Sequence, residues 1–333
     1  MTEVGIAIIG AGYMGRTHAA HYAALPGVRV LGVCDVDQGA AERLAEAMGP
    51  GTVAVTDLDK LFAVPGLDAV SICTPDGDHR SPAQAAASAG LHILLEKPLA
   101  TTSADAYAIL DAAAAANVTL AMGFVSRYLR TYSAAREAVT TGAVGTVTSI
   151  GVRRFNTQQA GAKYCHRDDV IDFLAVHDID ILRWFGGEIS SVTALADTFV
   201  FTQSHHADTV QMLARFASGA IGHLHVSWAL PDVVPPYKGR SGIDVVGTAG
   251  TVAMDSLDDR VHVSAVGAAP YPIDWDLSGA FRDQIATFVD CVRGTATPRA
   301  TGIDGLRALQ VVQAVKRSVA EGGSSVTVTA ANR

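Results

Sequence analysis

The chain has 333 residues, 49% of them hydrophobic and 17% charged, with a formal net charge of −8. This is enough apolar chain for one large domain or two ordinary ones, and the acidic balance offers no electrostatic basis for binding nucleic acid. No apolar run approaches the roughly 18–20 residues of a spanning helix, so neither nucleic acid nor membrane is expected as a partner.

The first residues, MTEVGIAIIGAG, enter a strand at once and lack the cationic segment of a signal peptide. The four cysteines (Cys34, Cys73, Cys165 and Cys291) are scattered, with no CxxC pair. A reduced, cytoplasmic protein is therefore expected, rather than a disulfide or zinc-cysteine framework.

In chain order, VGIAIIG, VRVLGVCD, LDAVSICTP, LHILLEKP and VTLAMGF read as strands. Alanine-rich helical stretches such as MGRTHAAHYAAL, GAAERLAEAMG and SPAQAAASAG separate them. The strands are continuously apolar and joined by helical crossovers, which is the pattern of a parallel sheet covered on both faces. The expected class is α/β, a doubly wound Rossmann sheet.

The first strand runs straight into GAGYMG, with Gly10, Gly12 and Gly15 at dinucleotide spacing and a helix-compatible stretch behind. The glycines permit a tight turn and a close backbone approach, so that a pyrophosphate can meet the next helix's N-terminus. Tyr13 and Met14, inside the same motif, are expected at the cofactor too. Twenty residues beyond Gly15, the second strand ends at Asp35. A carboxylate there accepts both ribose hydroxyls and repels a 2′-phosphate, and Asp37 adds to the acidity; NAD is favoured over NADP.

The strand AVSICTP ends at Thr74-Pro75, and LHILLEKP at Glu96-Lys97-Pro98. In an open α/β sheet these carboxyl ends border the ligand crevice, so Thr74, Pro75, Glu96 and Lys97 are expected beside the cofactor. His79 either touches the cofactor or only begins the helix that follows.

From Phe124 the pattern changes. SAAREAVTTGAVG reads as a helix and VTSIGVRRFN as a strand; HDIDILRWFGG reads as a helix closed by Gly186-Gly187. VTALADTFVF, DTVQMLARF, AIGHLHVSWAL, GIDVVGTAGTVAMDS and VHVSAVG are shorter, partly alternating runs with glycine turns, as in an antiparallel sheet. Helical patterns return at AFRDQIATFVDCVRG and LRALQVVQAVKRSVAEGG. The expected domains are residues 1–123, binding NAD(P), and 124–333, binding substrate.

His177 heads the HDID helix, where it either takes a hydroxyl proton as a neutral imidazole or merely caps and packs. Asp178 and Asp180 in the first turn suit the helix dipole. Arg127 and Tyr128, and more weakly Asn156, are expected to bind substrate; Tyr164 and His166 are further candidates. His205, His206, His223 and His225 invite a metal reading, but their spacing does not establish converging ligands, and no metal is assigned.

GAGYMGRTH, TPDGDH, EKP, GFVSRY, HDID and VVGTAGTV together resemble the Gfo/Idh/MocA family, which includes inositol dehydrogenase and glucose-fructose oxidoreductase. The likeness runs over most of the chain, and EKP behind a dinucleotide fingerprint is its most specific part. The resemblance implies a C-terminal α+β domain with a large open, mainly antiparallel sheet, one face for substrate and often the other for a second subunit, giving a homodimer or homotetramer. It implies an NAD-dependent oxidoreductase acting on a secondary alcohol or ketone of a sugar, sugar derivative or cyclitol. Lys97 then contacts substrate beside the nicotinamide, Pro98 often follows a cis peptide, and His177 is the acid/base. Family members place an aspartate four residues before that histidine; Phe173 stands there in this chain, and Asp172 one residue earlier. Either the backbone is irregular and Asp172 still serves as the catalytic partner, or the histidine has none. Two other readings stay open: a glycosidase using NAD for transient oxidation, and a non-catalytic dinucleotide-binding regulator, against which retention of Lys97 and His177 argues.

Overall fold

A computed structural model describes residues 3–232, 239–258, 260–265, 271–272 and 276–329. The chain forms two compact units, Met1–Tyr128 with Leu277–Leu306, and Leu129–Asp276 with Arg307–Arg333. The helix Leu277–Val292 therefore belongs to the first unit, although it lies far beyond residue 123 in sequence.

The first unit is built on six parallel strands: β1 (Val4–Ile9), β2 (Val28–Cys34), β3 (Val53–Val55), β4 (Ala69–Ile72), β5 (His92–Leu95) and β6 (Leu120–Met122). Their order is β3-β2-β1-β4-β5-β6, with the strand order reversing between β1 and β4. That reversal is the topological switch point, where ligands bind outside the strand carboxyl ends. All six residues of β1 are buried, as expected of a central strand covered on both faces. β3 escaped the sequence reading because three residues at a sheet edge carry too little pattern.

The second unit is a nine-stranded sheet. Its strands are β7 (Val147–Thr157), β8 (Ile189–Asp197), β9 (Thr209–Phe216), β10 (Ile221–Leu230), β11 (Arg240–Gly247), β12 (Gly250–Asp255), β13 (Arg260–Ala265), β14 (Tyr271–Pro272) and β15 (Val326–Thr327). The order is β14-β13-β12-β11-β7-β10-β9-β8-β15, antiparallel except where β7 and β10 run parallel. The helices Arg130–Thr140 and Val176–Gly186 pack on this sheet, the first on β12 and β13, the second on β7 and β10.

The outer face shows in the alternation of β9, where Gln211, Leu213 and Arg215 are exposed and Val210, Met212 and Ala214 buried. Leu195 and Ile221 are also more than half exposed. The run GIDVVGTAGTVAMDS is not one strand: Thr248 and Ala249 turn the chain, and β11 pairs back with β12. VTALADTFVF likewise stops being strand at Asp197. Beyond it the chain wraps a fully buried carboxylate, Asp208 Oδ2, which accepts the amides of Phe199, Val200 and Phe201 at 2.9, 2.6 and 3.1 Å. Among the described residues no helix is long and apolar enough to cross a membrane.

Candidate active site

In the first unit the glycine turn joins β1 to the helix Tyr13–Ala23. Gly10 has φ +94°, in the left-handed region, and a Cβ there would meet the Cys73 carbonyl oxygen at 2.6 Å. A Cβ on Gly15 would collide with the Gly10 carbonyl oxygen, so the helix can start this close to the strand only with glycine. Gly12 is the N-cap, with no side-chain cap and nothing within 4 Å of where a Cβ would sit. Its open surroundings and the unpaired N–H groups of the first helical turn fit a pyrophosphate. Tyr13 is 71% exposed and Met14 half-buried beside it.

Asp35 leaves the end of β2 and braces this turn. Its Oδ2 accepts the Ala11 amide at 2.6 Å and its Oδ1 the Asp37 amide at 2.9 Å. A carboxylate has about four lone-pair sites, so two such bonds leave acceptor capacity for ribose hydroxyls.

At the end of β4, Thr74 is half-buried and Pro75 exposed. His79 is buried, with Nδ1 2.8 Å from the Pro98 carbonyl oxygen and Nε2 3.1 Å from that of Thr74. With both ring nitrogens committed to main-chain carbonyls, it fastens the TPDGDH turn to Pro98 rather than reaching a cofactor.

The Lys97–Pro98 peptide is cis. Lys97 is half-buried at the carboxyl end of β5, and its amide donates to Glu96 Oε2 at 3.2 Å. Glu96 is only 6% exposed and lies against Gly123, whose Cβ would stand 2.8 Å from the carboxylate carbon. On the other side, His18 Nε2 approaches Glu96 Oε1 to 3.2 Å, an ion-pair distance in a geometry that misses hydrogen-bond alignment. Burial alone would lower the His18 pKa; Cys73 and then Glu96 outweigh it and push it up to about 10. Burial would also raise the Glu96 carboxyl, but His18 and Lys97 hold it below the usual range. The sequence reading gave no role to His18, although it lies three residues past Gly15 and on the same buried helix face as Ala19 and Tyr22.

Arg127 and Tyr128 do not stand ready for substrate. Arg127, 4% exposed, donates to the Arg299 carbonyl at 2.6 Å and to Asp304 Oδ1 at 2.9 Å. The Arg299 guanidinium lies over the buried Tyr128 ring, 4.9 Å from its centroid. Both residues tie the turn after β6 to segment 299–304, a partner more than 170 residues away that no local pattern reveals.

In the second unit, His177 is half-buried in the first turn of the helix Val176–Gly186. The preceding turn, Ile171–Ala175, is π-helical. A π turn holds one residue more than an α turn, and such bulges recur at functional sites. That extra residue turns Asp172, five before His177, toward the direction that a residue four before takes on an α-helix. The backbone before His177 is therefore irregular. Phe173 is displaced into an aromatic stack, 4.2 Å from Tyr164 and 6.0 Å from Trp228 between centroids. The Asp172 carboxylate is held by Lys316 Nζ at 2.5 Å.

Asp178 and Asp180 are fully buried, not solvated dipole partners. Asp178 takes the Arg154 Nε at 2.7 and 3.0 Å from its two oxygens. Burial raises the Asp178 carboxyl above its usual range, and the Arg154 guanidinium opposes this. Arg154 is thus spent on this pair, while Asn156 stands two residues along the same strand face. Asp168 pairs with Arg167, and Asp169 caps Ile171; His166 is exposed. Among the described residues no cluster of three His, Cys, Asp or Glu is placed to hold a metal.

The chain is 28% identical to the scyllo-inositol 2-dehydrogenase (NAD(+)) of Bacillus subtilis, over 96% of this chain and 95% of that one. It is 26% identical to the D-apiose dehydrogenase of Paraburkholderia graminis, covering 95% and 88%. A crystal structure of a putative myo-inositol dehydrogenase from Sinorhizobium meliloti superposes with a TM-score of 0.83 at 27% identity, over 98% of this chain and all of that one. The family model described as an oxidoreductase family with an NAD-binding Rossmann fold matches residues 4–124, and the GFO/IDH/MocA C-terminal domain matches residues 132–253. The two matches take in most of the chain, which belongs to the GFO/IDH/MocA family of NAD-binding oxidoreductases.

Proposed function

We propose that this oxidoreductase interconverts a ring secondary alcohol and its ketone on a cyclitol, sugar or sugar derivative, with NAD rather than NADP. The observation that carries the reading is Lys97 at the carboxyl end of β5, in the same sheet whose first strand feeds the glycine turn. The relatives named for scyllo-inositol and D-apiose support the substrate class.

Gly12 and the first helical turn receive the pyrophosphate, Asp35 the ribose hydroxyls, and Thr74 and Pro75 border the cofactor. NAD held there would supply the acceptor for the hydride leaving the carbinol carbon. Lys97 donates a hydrogen bond to the reacting oxygen and steadies the negative charge that grows on it. His177, neutral, takes the hydroxyl proton, so the C–O single bond becomes C=O as hydride and proton depart. Asp172, anchored by Lys316, balances the imidazolium so formed, and Asn156 reads a further substrate hydroxyl.

A turnover screen with NAD and NADP against inositols, hexoses and sugar nucleotides tests this directly. NADH formation on a polyol is the expected result. Sugar release from a glycoside with no net NADH would move the reading to a redox-assisted glycosidase, and silence across the panel would leave a binding protein. Replacing Asp35 by alanine is expected to weaken NADH binding about 10- to 100-fold, the loss of one or two charge-assisted hydrogen bonds. Fluorescence titration measures it, and the preference for NAD over NADP should narrow in the same variant.

The exposed Leu195, Leu213 and Ile221 on the outer sheet face fit a second copy of this chain. Light scattering is expected to give a dimer or tetramer, and Leu213→Glu to shift it toward monomer.

A further inference from the structure

Behind the Glu96–Lys97 pair lies a closed polar cluster to which the proposed chemistry gives no part. Its members come from three elements: His18 and Tyr22 from the first helix, Ser71 and Cys73 from β4 and its end, Glu96 from the end of β5. His18 and Ser71 have no exposed surface. His18 Nδ1 lies 2.9 Å from Ser71 Oγ and 3.5 Å from Cys73 Sγ, and Tyr22 Oη is 3.2 Å from the same Ser71 hydroxyl. Its other nitrogen faces Glu96, whose second oxygen accepts the Lys97 amide.

The hydroxyl of Ser71 can accept from one neighbour while donating to the other, so both His18 nitrogens face groups able to accept a proton. The doubly protonated ring donates to Ser71 and faces Glu96 with a positive charge at ion-pair distance, whereas a neutral ring leaves the buried carboxylate without a cation on that side. The remaining neighbour is apolar, the Phe281 ring with its centroid 6.4 Å away. His21 on the same helix also faces Phe281; its own pKa is lowered by burial and then by the charges of His18 and Arg282. A buried carboxylate is expensive unless paired, and here the pairing cation faces one carboxylate oxygen while the other accepts the Lys97 amide.

We propose that His18 is the buried counter-charge of Glu96 and, through it, a positioning residue for Lys97. With His18 in place the carboxylate braces the Lys97 main chain while its field at the lysine is offset by a second cation. Without that cation, the same carboxylate acts on the Lys97 ammonium uncompensated, drawing it inward and holding its proton more tightly. The inference rests on the role given to Lys97 above, and its test separates the two.

His18→Gln and Glu96→Gln each keep hydrogen-bonding capacity and remove one charge. In polyol oxidation with NAD, each is expected to lower kcat about 10- to 100-fold, with KM and NADH affinity within about threefold of wild type. The alkaline limb of the kcat profile should move to higher pH in His18→Gln and to lower pH in Glu96→Gln. The double variant should return the limb toward its original place with no further loss of kcat, since coupled partners do not add. Histidine 13C resonances of the whole protein give a readout independent of turnover: the His18 signal, assigned with His18→Gln, should stay that of the charged ring from pH 6 to 9. An unshifted limb in both single variants, additive losses in the double, or a His18 signal titrating near neutrality overturns the proposal. Should the wild type turn over no polyol, the substrate reading fails, and the charged or neutral His18 signal still decides the ion pair.

Discussion

Lys97→Ala is expected to lower kcat for polyol oxidation about 10³-fold while NADH binding changes by no more than about threefold. The split follows from where the residue sits. The residues proposed to meet pyrophosphate and ribose, Gly12, the first helical turn and Asp35, all lie at the β1 and β2 ends of the sheet. Lys97 lies two strands away at the end of β5, held by the Glu96 carboxylate through its main chain. Removing its side chain leaves that main-chain contact and the cofactor turn intact. What is lost is a cation that steadies the oxygen as the carbonyl forms, an interaction stronger in the transition state than in the bound alcohol. Lys97→Arg should recover little, because a planar fork does not reproduce a point charge. Undiminished turnover by Lys97→Ala with NAD bound would sink the assignment, and an equal collapse of NADH affinity would make Lys97 a cofactor ligand only.

His177→Gln is expected to cost between about 10² and 10⁴ in kcat, the usual worth of a positioned general base. Glutamine fills similar space and keeps a hydrogen bond but cannot take the proton. The acid limb of the wild-type kcat profile should therefore vanish in this variant, leaving a low, flat rate on that side. Asp172→Asn should reduce kcat by less and leave the limb in place but shifted to lower pH, since a neutral partner no longer favours the imidazolium and the ring loses its proton at lower pH. Structural collapse is distinguishable by thermal melting, because His177 is half-buried and Asp172 lies on an exposed salt bridge with Lys316. Full activity in His177→Gln would pass the proton-transfer role to another group.

Much of the first unit was legible because its signals are local. A continuously buried strand, three glycines and an acidic strand end are fixed by backbone sterics within a few tens of residues. The second unit's antiparallel kind was legible but not its strand number: GIDVVGTAGTVAMDS concealed a hairpin whose turn residues, Thr248 and Ala249, are not the strongest turn formers, and β14 and β15, two residues each, carry no pattern. Arg127 and Tyr128 were misread because an arginine after a strand looks the same in sequence whether it meets a ligand or Asp304. Arg154 and Asp178, likewise, became an ion pair only when the helix Val176–Gly186 settled on β7.

What the amino-acid order determined by itself was chemistry bound to short-range geometry: the parallel sheet, the glycine turn, Asp35 at its edge and Lys97 at the end of β5. Tertiary structure alone decided which polar side chains are spent on one another. His79 went to two carbonyls, Arg127 to Asp304, and His18 to Glu96, because burying a charge or a polar ring is tolerable only with a partner, and the partners come from distant segments. The same holds for the π turn before His177. One added residue in a helix is invisible as a pattern, yet it sets the direction in which Asp172 points.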